Sequence, residues 1–328
     1  MVSVKHSDSA THYDVFNGDA DGICSLHQLR LATPLPDARL ITGVKRDIEL
    51  LAKIGHVKKS RITVLDISMH SNMAVLQQLI SHENDIVYID HHFAGEIPAS
   101  SHLTTHIDPH PERCTALIVD ELLAGKYRLW AICGAFGDNL HSTARTSAKE
   151  VLLSESDTEK LQEIGELLNY NGYGAQLDDL YFSPDYLYNS VKKYKDPLDF
   201  YHESYTLKTL KTGFKNDMEL ALAQQLFAGY DKNHVYRFPD SPWSRRVSGV
   251  FANLKARENP AGAHALITEN SDGTLRISVR APLVNKHSAD ILCRSFPNGG
   301  GRAGAAGINA LPEDQLGKFL DTFNTTYE

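Results

Sequence analysis

The chain has 328 residues, of which 42% are hydrophobic and 23% are charged, and its formal net charge is -8 at pH 7. This length suits two domains better than a single core. The negative charge argues against a protein that coats long duplex DNA. Charge is nevertheless uneven, because residues 232–302 carry 11 Lys and Arg against 5 Asp and Glu. A basic segment that suits an anion therefore contrasts with an acidic remainder that suits cations.

Four cysteines, Cys24, Cys114, Cys133 and Cys293, are far apart and form no Cys-x-x-Cys pair. We therefore expect buried thiols in a reduced compartment. Residues 1–12 are mostly polar, and no apolar run approaches the ~20 residues of a membrane span. The sequence predicts a cytoplasmic protein with no membrane partner.

The first half of the chain alternates apolar runs with helical periods. Strands are predicted at 13–17, 38–44, 62–66, 86–90 and 105–107, and helices at 22–31, 48–54, 73–80 and 114–123. Repeated β-α-β units with short connections predict an α/β fold with a doubly wound parallel sheet.

The second half changes character. Residues 142–227 are mostly helical, with apolar spacing at 151–168 and 218–227. Beyond them, strands are predicted at 246–252, 263–268 and 275–280, and helices at 288–295 and 312–323. This pattern indicates a smaller, mixed α/β C-terminal domain. The predicted division is a first domain at 1–195, a helical connector at 196–216 and a second domain at 217–328.

Three predicted strands of the first half end in side chains that can bind a metal. The first runs into Gly18-Asp19-Ala20-Asp21-Gly22, the second ends at Asp66, and the third ends in Asp90-His91-His92. If these strands are parallel and adjacent, their polar ends meet at the carboxyl edge of the sheet, where such folds place their chemistry. Crowded carboxylates are unfavourable without cations, so we expect a metal site there.

Each motif alone has an ordinary structural explanation. An Asp-x-Asp pair is common at turns and helix N-caps, and Asp138 in Gly-Asp-Asn suits a helix cap equally well. Their joint occurrence favours a site. Asp and His ligands without a thiolate favour Mn²⁺, with Mg²⁺ or Fe²⁺ as competitors, over structural zinc. Lys45 and Arg46 follow the second predicted strand, and we expect them to be a solvated pair rather than part of this edge.

The motifs in order resemble those of the DHH phosphoesterase family with its associated C-terminal domain, within the oligoribonuclease and RecJ-like superfamily. They are Asn-Gly-Asp-Ala-Asp-Gly, a lone strand-end Asp, Asp-His-His, a later Gly-Asp and Gly-Gly-Gly-Arg-Ala-Gly-Ala-Ala-Gly. The resemblance covers both ends of the chain, and only the helical middle is unsupported. It implies a catalytic domain followed by a substrate-binding domain.

The resemblance also implies residue roles. The ligands of a two-metal centre, usually manganese, match Asp19, Asp21, Asp66, His91 and Asp138. Of these, Asp66 matches the ligand that bridges both ions. The histidine that faces the substrate phosphate matches His92, and a carboxylate that orients an imidazole matches Asp90. The expected substrate-binding residues are Asn17, Arg280, Gly299, Gly300, Gly301 and Arg302.

Three positions depart from the family pattern. Val15 stands where many relatives have a histidine, and Asn17 stands where RecJ-like exonucleases have an acid. One of the two ions is therefore expected to bind weakly. Arg302 stands where the glycine motif commonly continues with histidine. An arginine still donates to phosphate, but it cannot transfer a proton at neutral pH.

Together these implications predict a metal-dependent phosphodiesterase that hydrolyses short oligonucleotides or linear dinucleotides to mononucleotides. The alternatives within enzymes are a cyclic-dinucleotide phosphodiesterase, a 3'-phosphoadenosine 5'-phosphate phosphatase and an exopolyphosphatase. A catalytically weak nucleotide-sensing module is the alternative of another class, and Val15 and Asn17 favour it. A homodimer is compatible with the sequence.

Overall fold

A computed structural model describes residues 10–328 of the chain. The chain divides into two compact units, Met1–Lys211 and Thr212–Glu328. This division falls within residues 196–216, which the sequence analysis assigns to a connector. The finer domain boundaries stay a prediction.

The described part of the first unit alternates strands and helices. Its strands are β1 (His12–Phe16), β2 (Arg39–Ile41), β3 (Arg61–Leu65), β4 (Asp85–Asp90) and β5 (Leu103–Ile107). Its α-helices are α1 (Ala20–Ala32), α2 (Met73–Ser81), α3 (Thr115–Leu122), α4 (Arg128–Gly137), α5 (His141–Glu150), α6 (Glu155–Gly172), α7 (Pro184–Val191) and α8 (Pro197–Glu203). Short 3₁₀ helices lie at Leu50–Ile54, His70–Asn72 and Leu177–Asp179. Helix α9 (Tyr205–Leu222) contains the division between the units.

The strands β1–β5 form one parallel sheet in the order β2-β1-β3-β4-β5. On one face, Val15 and Val64 share a core with Leu51 of the first 3₁₀ helix and Leu76 of α2. Helices α1 and α3 contact β1, β3 and β4, while α1 also packs on α4 and α6. Helices thus cover both faces, and the predicted doubly wound α/β sheet is confirmed.

Two glycines fix the turn from β1 into α1. A Cβ on Gly18 would lie 2.0 Å from the carbonyl oxygen of Gly43, and one on Gly22 would lie 2.2 Å from that of Asn17. Asp19 caps α1, because its side chain accepts from the Gly22 N–H at 3.1 Å. The close approaches hold Asp19 and Asp21 at the start of the helix.

The second unit contains a separate mixed sheet. Its strands are β6 (Leu226–Tyr230), β7 (Asn233–Phe238), β8 (His264–Glu269), β9 (Leu275–Arg280), β10 (Gly299–Arg302) and β11 (Ala305–Leu311). Its α-helices are α10 (Pro242–Glu258), α11 (Ala289–Arg294) and α12 (Leu316–Tyr327), with a 3₁₀ helix at Glu313–Gln315.

The sheet of the second unit has the order β10-β11-β9-β8-β7-β6, with β7 and β8 parallel and the other pairs antiparallel. Tyr236 and Phe238 of β7 point to one face, where they contact Phe251 of α10. Val235 points to the other face, in a core with Leu292 of α11 and Phe319 of α12. The predicted mixed α/β architecture is confirmed.

Two predictions for the second half were wrong. The predicted strand 246–252 lies inside α10, whose Val247, Phe251 and Ala256 are buried at helical spacing. β-branched and aromatic residues made this amphipathic helix look like a strand. The predicted helical stretch 218–227 is also wrong in part, because α9 ends at Leu222 and β6 begins at Leu226.

All four cysteines are buried and free, as expected. Among the described residues, no helix combines the length and the hydropathy that a membrane crossing requires.

Candidate metal centre

The carboxyl ends of β1, β3 and β4 meet at one edge of the first sheet. These strands are parallel neighbours, and their registers pair Phe16 with Leu65 and Leu65 with Ile89. The residues that follow each strand therefore share this edge, as the sequence predicts. The loop after β1, Asp66 and the end of β4 are all placed there.

Three carboxylates surround the imidazole of His91. Its Nε2 lies 3.5 Å from an Asp66 oxygen, 3.8 Å from an Asp138 oxygen and 4.0 Å from an Asp21 oxygen. The four side chains come from the start of α1, the ends of β3 and β4, and the C-cap of α4. Residues that are far apart in the sequence thus converge on one small volume.

Backbone hydrogen bonds hold two of these carboxylates in place. The oxygens of Asp21 accept from the N–H groups of Thr115 at 2.8 Å and Ala116 at 2.7 Å, at the start of α3. Asp66 adopts a left-handed backbone with φ +59°, and its N–H donates to the Ile89 carbonyl at 3.1 Å. The Thr115 hydroxyl donates to Asp66 at 3.3 Å. The positions are therefore fixed before any ligand binds.

The close packing of these buried carboxylates raises the pKa of two of them. Burial, followed by the nearby charge of Asp21, raises the pKa of Asp66 well above its ordinary value. Burial, followed again by Asp21, raises the pKa of Asp138 to about 6. These are the shifts expected of carboxylates that lack a neutralising cation.

Lys45 is part of the site, so the expectation that it is a solvated residue was wrong. Its Nζ lies 2.6 Å from Asp19 Oδ2, 2.9 Å from Asn169 Oδ1 and 3.9 Å from Asp138 Oδ1. Burial alone would raise the pKa of Asp19, but the charge and hydrogen bond of Lys45, together with hydrogen bonds from Gly22 and Asp66, lower the pKa below its ordinary value. Burial alone would lower the pKa of Lys45, but the charges of Asp19, Tyr173 and Asp138 and the hydrogen bond to Asp19 together raise it well above its ordinary value.

Asp90 orients His92. The carboxylate is fully buried, and one oxygen lies 2.7 Å from Nδ1 of His92. Burial alone would lower the pKa of His92, but this hydrogen bond and the charges of Asp90, Asp21 and Asp138 together raise it. The rings of His91 and His92 lie 4.4 Å apart, and ligand atoms of Asp66 and both histidines fall within 4.8 Å of one another.

Asn17, which is predicted to bind substrate, directly follows β1. Its Nδ2 donates to the Lys45 carbonyl at 3.3 Å, and its backbone N–H donates to the Leu65 carbonyl at 3.2 Å. Its buried Oδ1 has no hydrogen-bond partner within residues 10–328. This oxygen is an acceptor that a ligand could use.

The predicted substrate-binding residues of the second unit lie on neighbouring strands. Ala305 of β11 pairs with both Arg280 of β9 and Arg302 of β10, so the two arginines share a row across the sheet. The Arg280 guanidinium donates to Asn253 at 2.7 Å and to Ser278 at 2.9 Å, whereas Arg302 is exposed. Gly299, Gly300 and Gly301 form the rest of β10.

Asn169 and Thr115 are two residues of the site that were not predicted from the sequence. Asn169 is in α6, and Thr115 begins α3, so both reach the cluster only through the packing of helices around α1. No local motif marks either residue. The signal for Lys45 was its position just after β2, one strand away from Asp19.

The donor set fits a divalent cation. His91 offers its Nε2 nitrogen, and Asp21, Asp66 and Asp138 each offer a carboxylate oxygen within 4.0 Å of that nitrogen. Such oxygen-rich ligands suit Mn²⁺ or Mg²⁺ better than thiolate-preferring ions. The raised pKa values of Asp66 and Asp138 also favour a cation at this position, because a bound cation would stabilise the ionised form of both carboxyl groups.

Solved structures share this fold, although no protein-family model and no curated protein matches the sequence. Each of the three structures described here aligns with 97% of this chain. One is the exonuclease RecJ bound to manganese, which is 16% identical and has a TM-score of 0.61, with 90% of the RecJ chain covered. A pGpG-specific phosphodiesterase, PggH from Vibrio cholerae, matches over its full length at 14% identity and a TM-score of 0.58. An exopolyphosphatase-related protein from Bacteroides fragilis matches over 91% of its length, at 15% identity and a TM-score of 0.52. The chain therefore shares the fold of these solved structures, RecJ among them.

Proposed function

We propose that the chain is a divalent-metal-dependent phosphodiesterase that hydrolyses short oligonucleotides or linear dinucleotides to mononucleotides. The observation that carries this proposal is the position of His91 Nε2 within 4.0 Å of Asp21, Asp66 and Asp138. These groups meet at the carboxyl edge of a parallel sheet, which is where such folds bind their ligands.

The residues of the centre divide into those that bind the cation and those that act on the phosphate. Asp21, Asp66, His91 and Asp138 hold the cation, which when bound lowers the pKa of a water and neutralises charge on the phosphate. His92 faces the phosphate. The buried Asp90 holds its Nδ1, and the raised pKa keeps a proton available for the leaving oxygen.

Similar structures and one exposed aromatic residue support a nucleotide substrate. RecJ is named an exonuclease and PggH a pGpG-specific phosphodiesterase, and the latter is matched over its whole length. Phe93 directly follows His92 and is 71% exposed. An exposed ring at this position suits stacking on a base, which contributes about 1–3 kcal/mol in single-strand recognition. Polyphosphate would leave such a ring without a partner.

The second unit supplies the residues that we assign to the terminal phosphate. Arg280 and Arg302 lie in one row on strands two apart, a spacing of about 10 Å between strand axes. The Asn253 and Ser278 side chains fix the Arg280 guanidinium. Preset guanidinium groups bind phosphate oxygens with two parallel hydrogen bonds.

A product time course tests the proposed function. With Mn²⁺, we expect 5'-labelled dinucleotides to yield mononucleotides faster than labelled 10-mers do, and EDTA to stop both reactions. Asp66→Ala should reduce turnover to the background rate, because it removes a central ligand of the cation. Asp85→Ala is the matched control, since Asp85 is an exposed strand carboxylate paired with His102 and should leave turnover unchanged.

The same assay separates the alternatives. A cyclic dinucleotide, 3'-phosphoadenosine 5'-phosphate and polyphosphate are tested in parallel at equal phosphate concentration. Hydrolysis of polyphosphate alone would contradict the nucleotide proposal. Tight binding of a dinucleotide in Mn²⁺ without release of a mononucleotide would indicate the sensing module instead.

A further inference from the structure

Lys45 occupies a cation position within the candidate metal centre. Its ammonium lies 2.6 Å from Asp19 Oδ2 and 2.9 Å from Asn169 Oδ1, and Asp138 Oδ1 is 3.9 Å away. These three oxygens come from the N-cap of α1, from α6 and from the C-cap of α4. They surround a single positive charge, and one of them belongs to Asp138, whose other oxygen lies 3.8 Å from His91 Nε2.

The backbone fixes the lysine in this position. The Lys45 N–H donates to the Gly172 carbonyl at 2.9 Å, and the Lys45 carbonyl accepts from Asn17 Nδ2 at 3.3 Å. The side chain is only 21% exposed. Both ends of the residue are therefore held, and the ammonium is a built-in feature of the site rather than a passing surface contact.

The two positions before Asp19 at which the family resemblance leads us to expect a metal ligand carry no charged side chain. Val15 is apolar and fully buried, and Asn17 contributes an uncharged amide. A divalent ion on Asp19 would also have to displace the ammonium or be repelled by it.

We propose that the Lys45 ammonium replaces one of the two cations expected at this centre. The chain then holds one tightly bound divalent ion, on Asp21, Asp66, His91 and Asp138, and Lys45 is the permanent second charge. An ammonium has three N–H donors, and Asp19 and Asn169 take two. The third is directed to a phosphate oxygen of the substrate, where it stabilises charge that develops in the transition state. This inference rests on the proposed phosphoesterase function.

The test counts Mn²⁺ ions per chain in the full-length protein by calorimetric titration and by electron paramagnetic resonance. Wild type should bind one Mn²⁺ and give the spectrum of an isolated ion. Lys45→Ala should bind a second Mn²⁺ and show a spin-coupled pair, while its kcat at one ion per chain falls by about 100-fold. Lys45→Arg should keep one ion, because it keeps the charge.

Two further variants make the result specific. Lys53→Ala removes a lysine that bonds Asp47 at 2.7 Å on the surface, and it should leave one Mn²⁺ per chain. Asp19→Asn keeps the helix cap and should change Mn²⁺ affinity less than threefold, because Asp19 holds the lysine rather than the ion. It also provides the test if Lys45→Ala does not fold.

The outcomes separate this inference from the proposed function. Two ions in wild type, one ion in Lys45→Ala, or a tenfold loss of affinity in Asp19→Asn would each overturn the role of Lys45 and leave the phosphodiesterase proposal standing. No Mn²⁺ binding at all would overturn the metal-dependent function, and the role of Lys45 with it.

Discussion

The carboxylates around His91 repel one another when no divalent ion lies between them. Burial and the charge of Asp21 raise the pKa of Asp138 to about 6, and the pKa of Asp66 is also well above its ordinary value. The folded protein therefore retains protons that the unfolded chain would release. Binding a divalent ion requires these protons to leave, so metal affinity and pH are coupled.

This coupling predicts how Mn²⁺ affinity and stability depend on pH. Asp138 is protonated below about 6, so Mn²⁺ affinity should rise as the pH rises through that value and level off above it. The stability of the metal-free protein should change with pH in the opposite direction. Between the ordinary carboxyl pKa near 4 and the raised pKa, the native state binds more protons than the unfolded state does. The free energy of unfolding should therefore fall as the pH rises across that window.

Titration calorimetry and thermal unfolding in EDTA across this pH range measure the two effects. Asp138→Asn should flatten the decline in the melting temperature of the metal-free protein, because it removes one titrating group. Its Mn²⁺ affinity should be lower than that of wild type at neutral pH. A metal-free protein whose melting temperature rises steadily with pH in this range would contradict the raised pKa.

The sequence predicts most residues of the candidate centre because they follow buried strands. Parallel neighbours bring Asp66 and His91 to one edge whatever the details of the loops, and the Asp-x-Asp turn has little freedom between its glycines. Lys45 was misjudged for a different reason. Its side chain spans the gap from the loop after β2, and only the packing of that loop on Gly172 decides its direction.

At the scale of elements, the glycine run in the second unit is a strand with one strained position. Gly301 has φ +142°, and a Cβ there would lie 2.5 Å from the Cα of Ala306 on the paired strand. Gly300 has open space around the same position. The two neighbours differ in their tolerance of a side chain, although the sequence Gly-Gly-Gly does not distinguish them.

Substitution of these two glycines by alanine measures that difference. Gly301→Ala should lower the free energy of unfolding by about 1–3 kcal/mol, because it adds backbone strain and a contact that is too short. Gly300→Ala should change it by about 0.5 kcal/mol or less. Urea unfolding of both full-length variants gives the comparison, and equal losses would show that β10 does not pair with β11 as described.

Element types were predictable where the hydrophobic period was clear. The α/β alternation of the first unit follows directly from apolar runs such as 86–90 separated by helical periods. Helix α10 was misread because Val247, Val250 and Phe251 are good strand residues, whereas Pro242 at its first turn indicates a helix start. The strand β6 was missed because three of its five residues are exposed, which removes the apolar alternation that indicates a strand.

At the scale of the whole molecule, the two units differ in the charge of their candidate functional residues. The cluster of carboxylates and histidines belongs to the first unit, and the basic excess at 232–302 belongs to the second. Each unit has its own sheet and hydrophobic core. Substitutions of the predicted phosphate-binding residues in the second unit should therefore change substrate binding and leave metal binding unchanged.

Arg302→Ala tests this separation. Loss of a charged hydrogen bond to phosphate costs about 1.5–3 kcal/mol, so kcat/KM on a 5'-phosphorylated dinucleotide should fall about 10- to 100-fold, mainly through KM. Mn²⁺ affinity should match that of wild type, because Arg302 belongs to the other unit. Arg257→Ala is the control, since it removes an equal charge from an exposed position on α10 and should leave KM unchanged. If Mn²⁺ affinity fell with Arg302→Ala, or if Arg257→Ala raised KM equally, the assignment of Arg302 to the substrate phosphate would be wrong.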